Sequence, residues 1–272
     1  MKKFEGILFA SDLDGTLLNK DKNISDENKK AIEYFMSEGG IFTFITGRIP
    51  LGAKPVLEQI VPNAPFGCIN GGGIYDHRAN KMIWQMDLSK SVIELVEYVD
   101  QHLPSMGIEV NTHEKIYFCK KNEATEKHRT DEHFPDLCCH YKDVKEPFAK
   151  ILFADCKDNI EILEKLLSKH PRASEFDFIR SDTQYYEILP KGANKGNLVM
   201  KLSQILGISQ SKTISAGDND NDVSMLEATE ISYAVKNASQ KAKQAADFVT
   251  VGNEEHAIAK IISELDQGKI VL

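Results

Sequence analysis

Apolar runs of strand length alternate with helical periodicities at both ends of this chain, and the alternation breaks off in the middle. That rhythm constrains the fold more than any single residue, because repeated strand, helix, strand units bury their apolar faces as a parallel sheet covered by helices on both sides. The first strand candidate is Gly6-Ile7-Leu8-Phe9-Ala10. Ser25 can then cap a helix whose Ala31, Ile32, Phe35 and Met36 recur at helical spacing until Gly39-Gly40. Strand Ile41 to Ile45, a short helix from Pro50 to Ile60 and strand Phe66 to Ile69 follow, then a hairpin of Ile74-Tyr75-Asp76 with Met82-Ile83-Trp84. Beyond Lys195 the rhythm returns with a helix carrying Leu198, Val199, Leu202, Ile205 and Leu206, and a strand at 213–216. A helix after Asn221, strand Ile231 to Val235, a helix near Ser239 to Ala246 and strand Phe248 to Val251 precede a final helix with Ala257, Ile258, Ile261, Ile262 and Leu265.

Residues from about 86 to 187 do not continue this pattern and are too long for a connection inside a compact domain. They are expected to fold as an inserted α/β unit, with segments 1–85 and 188–272 forming the other domain. The insert reads as a helix at Ser89 to His102, strand Lys115 to Cys119, strand Lys150 to Ala154, a helix at Asn159 to His170, and strands near Phe176 to Phe178 and Tyr185 to Leu189. That is a mixture of strands with two helices.

Chemistry-bearing residues fall at the ends of the strands. Asp12-Leu13-Asp14-Gly15-Thr16 follows the first apolar run, and carboxylates at i and i+2 leave an extended strand on one face. One can attack while its neighbour moves protons; the plain alternative is a solvated Asp-Gly turn. Three distant elements shift the balance. Thr46-Gly47-Arg48 ends the second strand with a hydroxyl and a guanidinium suited to gripping phosphate. Lys195 opens a helix within Lys191-Gly192-Ala193-Asn194-Lys195-Gly196. Gly217-Asp218-Asn219-Asp220-Asn221-Asp222 ends a third strand in an acidic cluster suited to a hard cation.

This set resembles the four motifs of the haloacid dehalogenase superfamily, and its spacing is similar to that of the Cof-like sugar-phosphatase branch. Asp12-x-Asp14-Gly15-Thr16 resembles the first motif, Thr46 the second, Lys195 the third and Gly217-Asp218-x-x-Asn221-Asp222 the fourth. Lys191-Gly192-x-x-Lys195-Gly196 and Asn70-Gly71-Gly72-Gly73 are similar to strings of that branch, whereas the middle of the chain matches only in length and placement. The resemblance implies a Rossmann-like parallel sheet core with an inserted α/β cap, and a Mg²⁺-dependent phosphatase acting on a small phosphorylated metabolite such as a sugar phosphate. It also implies roles: Asp12 as nucleophile, Asp14 as general acid/base, Lys195 beside both nucleophile and phosphoryl group, and Asp12, the Asp14 carbonyl and Asp218 around Mg²⁺. Thr46, Gly47, Arg48, Asn70 and Asn221 fall on the substrate side, with Arg48 gripping phosphate or supporting a loop; Asn70 and the glycines after it are a tight loop for close backbone approach or part of the substrate vestibule, the resemblance favouring the latter. Asp222 orients Lys195 or a metal-bound water, and Asp220 is an ordinary surface charge. A phosphomutase using the same residues, or a silent domain retaining the fold, are the alternatives.

Composition excludes several other classes. A formal net charge of −8 and the lack of a long basic stripe argue against a nucleic-acid surface. No apolar run approaches a membrane span, and Met1-Lys2-Lys3-Phe4-Glu5 leads into a strand without a signal-peptide core, so the expected compartment is the cytoplasm. A monomer is expected because no zipper-like stripe is present. Cys68, Cys119, Cys138, Cys139 and Cys156 suggest neither a disulfide framework nor a zinc knuckle; adjacent cysteines such as Cys138-Cys139, even beside His133 and His140, rarely reach one ion unaided. His113, His128, His133 and His140 are read as surface or core histidines.

Overall fold

A computed structural model describes residues 2–270; Met1, Val271 and Leu272, the ends of the two expected core segments, lie outside the described residues. The first stretch of chain runs β1 (Leu8–Ser11), α1 (Asp26–Ser37), β2 (Ile41–Phe44), α2 (Pro50–Leu57), β3 (Phe66–Cys68), β4 (Gly73–Asp76) and β5 (Lys81–Gln85). The middle contributes α3 (Val92–His102), β6 (Gly107–Asn111), β7 (Ile116–Lys120), α4 (Glu123–Asp131), β8 (Lys150–Ala154), α5 (Lys157–Leu167), β9 (Phe176–Asp182) and β10 (Tyr185–Pro190). The last part runs α6 (Lys195–Leu206), β11 (Thr213–Gly217), α7 (Val223–Ala228), β12 (Ile231–Ala234), α8 (Gln240–Ala245), β13 (Phe248–Val249) and α9 (Ala257–Asp266).

These elements form two compact units, one of residues up to Gly47, Ala53–Trp84 and Asn194 onward, the other of Arg48–Gly52 and Gln85–Ala193. The second boundary therefore falls after β10 rather than at 187, because Tyr185–Pro190 pairs with β8 and β9 in the second unit's sheet. The first unit is built on a parallel sheet in the order β13, β12, β11, β1, β2. Period-two alternation covers both faces. Leu8 and Ala10 point toward Leu198, Val199 and Leu202 of α6, while Phe9 meets Phe35 of α1 and Phe42 of β2. Ser25 caps α1 as expected, accepting from the Asn28 N–H at 3.3 Å. A short sheet of β3, β4 and β5 continues from β2 through a bridge between Ile45 and Gly67.

Register is what prepares the site. Ser11 stands opposite both Ala216 and Phe44, so β1, β2 and β11 end level and the residues that follow them emerge on one edge. Strand order also reverses at β1: the chain moves to one side for β2 and to the other for β11 to β13. Open α/β sheets bind ligands in the crevice outside the carboxyl ends of strands at such a switch point.

The second unit is an antiparallel sheet in the order β7, β6, β8, β10, β9. One face packs against α3 and α5 through Val92, Val96, Val99, Ile160, Leu163 and Leu167. The opposite face carries buried Glu109, Lys150 and Glu187. Three helices are present here rather than the two expected. The additional one, α4, buries only Ala124 and Thr125, so it offers no apolar stripe, although Asn122 and Thr125 form a capping box at its start. Strand β6 shows no continuous apolar run in the sequence, because Glu109 and Asn111 put polar side chains on one of its faces. No helix among the described residues is long and apolar enough to cross a membrane.

Candidate active site

Asp12 is the first residue beyond β1, and its N–H donates to the Ala216 carbonyl at 2.9 Å, which fixes it between β1 and β11. Asp14 follows two residues later with its carboxylate 2.5 Å from the Lys22 ammonium. The two carboxylates sit in different surroundings: the Asp12 side chain is 8% exposed and that of Asp14 38%, so Asp14 is the more accessible to solvent. Gly15 makes the turn possible. Its φ is +79°, and a Cβ there would fall on the Asp218 carboxylate. Thr16, quoted in the motif but given no role by sequence, donates its hydroxyl to Asp218 Oδ1 at 3.0 Å.

Lys195 begins α6 after Asn194, whose side chain caps the helix by accepting from the Asn197 N–H at 2.8 Å. The ammonium is 1% exposed and lies 2.6 Å from Asp12 Oδ1 and 2.5 Å from Asp222 Oδ1. Asp222 Oδ2 in turn accepts from the N–H groups of Asp218 and Asn219 at 2.9 and 3.0 Å. Asp222 thus braces Lys195 and the β11 loop together. Burial opposes the Lys195 charge, but Asp12 and Asp222 hold its pKa above the ordinary value.

Asp12, Asp218 and Asp222 offer carboxylate oxygens that all lie within 4.8 Å of one another. Burial, reinforced by the negative charge of Asp222, pushes the Asp218 carboxyl up to about 7, and the same causes raise Asp12 well above its usual range. One ammonium does not balance three close carboxylates. Oxygen donors short of positive charge are the chemistry that a hard divalent cation satisfies, so the residues fit Mg²⁺. No other such group occurs among the described residues, and Cys138, Cys139, His133 and His140 do not form one.

The residues expected on the substrate side do not all belong to one unit of the chain. Thr46 follows β2, is buried, and donates its N–H to the Gly67 carbonyl at 3.0 Å. Gly47 lies against the Asn70 amide, and Asn70 Oδ1 accepts from Asn221 Nδ2 at 3.0 Å. Asn221 Oδ1 is buried without a protein partner, an acceptor left open at the site. Arg48 instead belongs to the second unit, where its guanidinium grips Glu132 at 2.7 and 3.3 Å and the Gly52 carbonyl at 2.8 Å. Asp220 pairs with Lys241 at 2.6 Å and accepts from Ser239. Among the histidines, His113 is paired with Asp87 and His128 with Glu109.

Comparison with known proteins shows the family and the fold. Residues 9–262 match the family model described as haloacid dehalogenase-like hydrolase. The 5-amino-6-(5-phospho-D-ribitylamino)uracil phosphatase YwtE of Bacillus subtilis is 31% identical over 96% of this chain and 98% of its own length. A second phosphatase of that name, YcsE, also from Bacillus subtilis, is 26% identical over 94% of each chain. Among solved structures, a haloacid dehalogenase-like hydrolase from Bacteroides thetaiotaomicron superposes with a TM-score of 0.83 at 23% identity, covering 95% of this chain and 99% of its own. The subclass IIB sugar phosphatase BT4131 gives 0.83 at 20% identity, covering 97% and 100%. At such identities these two attest the fold alone. Family match, full-length relative and shared fold agree: this chain belongs to the haloacid dehalogenase-like hydrolases.

Proposed function

We propose that the protein is a Mg²⁺-dependent phosphatase that hydrolyses a small phosphorylated metabolite, a sugar or polyol phosphate, through an aspartyl-phosphate on Asp12. The observation that carries this reading is the buried Lys195 ammonium set between Asp12 and Asp222, with Asp218 in the same carboxylate group. A carboxylate approaching an anionic phosphate at about 4 Å meets roughly 4 kcal/mol of repulsion at an effective dielectric near 20, so positive charge must be concentrated there. Asp12, Asp218 and the Asp14 carbonyl would hold Mg²⁺, which supplies part of that charge when bound. Lys195 supplies the rest.

Asp12 forms the new bond to phosphorus as the ester P–O bond breaks, and Asp14 delivers its proton to the departing alkoxide. Asp14, now ionised, takes a proton from the water that attacks the aspartyl-phosphate; inorganic phosphate leaves and Asp12 is free again. The unequal exposure of the two side chains suits these roles, with the attacking group shielded and the proton carrier in touch with solvent. Thr46 and Asn221 hold phosphate oxygens by neutral hydrogen bonds. The inserted unit, in this reading, acts as the cap that meets the substrate beyond its phosphate. The YwtE relative is named for a substrate whose phosphate sits on a ribityl chain, which supports an ester on a sugar or polyol carbon. A cytoplasmic monomer remains part of the proposal.

Release of inorganic phosphate from a panel of sugar, polyol and nucleotide esters, with and without Mg²⁺, tests the reading with Asp12→Asn beside the wild type. Turnover that requires Mg²⁺ and Asp12 supports it. Undiminished turnover by Asp12→Asn would remove the covalent route.

A further inference from the structure

Behind the site runs a short stretch of strained backbone. Ile69, Asn70 and Gly71 follow one another with φ of +58°, +49° and +110°, the one run of three positive values among the described residues. Glycine adopts such values freely, but a β-branched residue there is an outlier, and strain of this kind persists only where its surroundings over-determine it. All three residues are buried.

Those surroundings are the loops of the active site itself. The Asn70 N–H donates to the Thr46 carbonyl at 3.1 Å. Its side-chain amide lies so close to Gly47 that a Cβ there would come within 2.8 Å of Asn70 Oδ1. The same Oδ1 accepts from Asn221 Nδ2 at 3.0 Å, which sets the rotation of the Asn221 amide. Gly71 backs onto the main chain of Asn194, the residue that caps the helix beginning with Lys195, leaving no room for a side chain. One three-residue turn therefore touches the loops that carry Thr46, Lys195 and Asn221.

We propose that Asn70 is a positioning residue for phosphoryl transfer: through its left-handed backbone and its amide it sets the spacing of Thr46, Lys195 and Asn221 without itself touching the phosphate. The inference rests on the phosphatase reading above. Preorganised donors lose much of their effect when displaced by about 1 Å, with rate losses on the order of 10²-fold. Asn70 thus acts on the rate through its neighbours.

The test is a steady-state comparison of wild type, Asn70→Gly, Asn221→Ala and the double variant, with thermal melts and with rates referred to the folded fraction measured by circular dichroism. Glycine accepts the backbone conformation and deletes only the amide, so Asn70→Gly melts at or above the wild-type temperature. Its kcat falls about tenfold to a hundredfold while KM stays within about threefold. The double variant loses less than the product of the two single losses, because part of the Asn70 effect passes through the Asn221 amide. A kcat for Asn70→Gly within about twofold of wild type would overturn the proposal. So would a raised KM with kcat retained, which marks direct substrate contact, or strictly additive losses in the double variant. Asp12→Asn assayed alongside separates the two failures: if it is inactive while Asn70→Gly is unimpaired, only the positioning role falls.

Discussion

Each unit holds a set of buried or partly buried charges, and the sets follow opposite rules. In the second unit the charges come in pairs: Lys150 with Glu187 at 3.0 Å, His128 with Glu109 at 3.0 Å, and Arg48 with Glu132 at 2.7 Å. Burial disfavours a charged His128, yet the Glu109 carboxylate keeps its pKa above the ordinary value. In the first unit, Asp12, Asp218 and Asp222 crowd within 4.8 Å around the Lys195 ammonium. Matched buried pairs are close to neutral in energy until one partner is removed. Three carboxylates around one ammonium are different: they leave a deficit of positive charge, which in the proposed function Mg²⁺ would fill. Local imbalance of buried charge thus separates the candidate active site from a network of matched pairs.

The sharpest way to break this comparison is to remove one carboxylate from each set. Asp12→Asn should lower kcat by about 10⁴-fold or more, because the nucleophile is gone. Because it also relieves repulsion, the metal-free variant should melt no lower than wild type in a calorimeter. Glu187→Gln should do the reverse, removing the carboxylate paired with the buried Lys150 ammonium and costing about 3 kcal/mol in chemical denaturation. If both substitutions destabilised equally, the distinction between the two sets would be wrong.

A smaller effect separates the sets by pH. The folded-state pKa of Asp218, near 7, exceeds the unfolded value of 3.8, so the folded protein binds the extra proton across that window. Stability of the metal-free protein should therefore fall as pH rises from about 4 to about 7 and then level off. Mg²⁺, which competes for the ionised carboxylates, should raise the melting temperature more above neutrality than near pH 4. Equal Mg²⁺ shifts at both ends would contradict the charge deficit. Smallest of all is Asp220→Asn, outside the crowd and paired with exposed Lys241; unfolding stability should change by less than about 0.5 kcal/mol.

How much of this was legible in the sequence depended on where burial lies. Strands β1 and β11 are buried along their length and β2 in all but its first residue, so they read as mainly apolar runs and the core of the fold can be traced. Strand β6 puts Glu109 and Asn111 on one face, and α4 hides little apolar surface, so pattern alone passed over both. The chemistry-bearing residues were readable because each ends a strand or starts a helix. Their partners were not: Glu132 meets Arg48 across 84 positions, and Thr16 meets Asp218 across 202, separations at which only the folded chain makes neighbours. Asn70 reads from its string as a tight loop or part of a substrate vestibule, and nothing in that string announces that its amide reaches Asn221.

The most direct test of the central claim is to trap the covalent intermediate. Wild-type protein turning over a radiolabelled phosphate ester with Mg²⁺ would be quenched in acid, digested and mapped by mass spectrometry. The account predicts phosphate on the peptide containing Asp12, lost on treatment with hydroxylamine and missing from Asp12→Asn. Steady turnover in Asp12→Asn, with no label on that peptide in either protein, would contradict it.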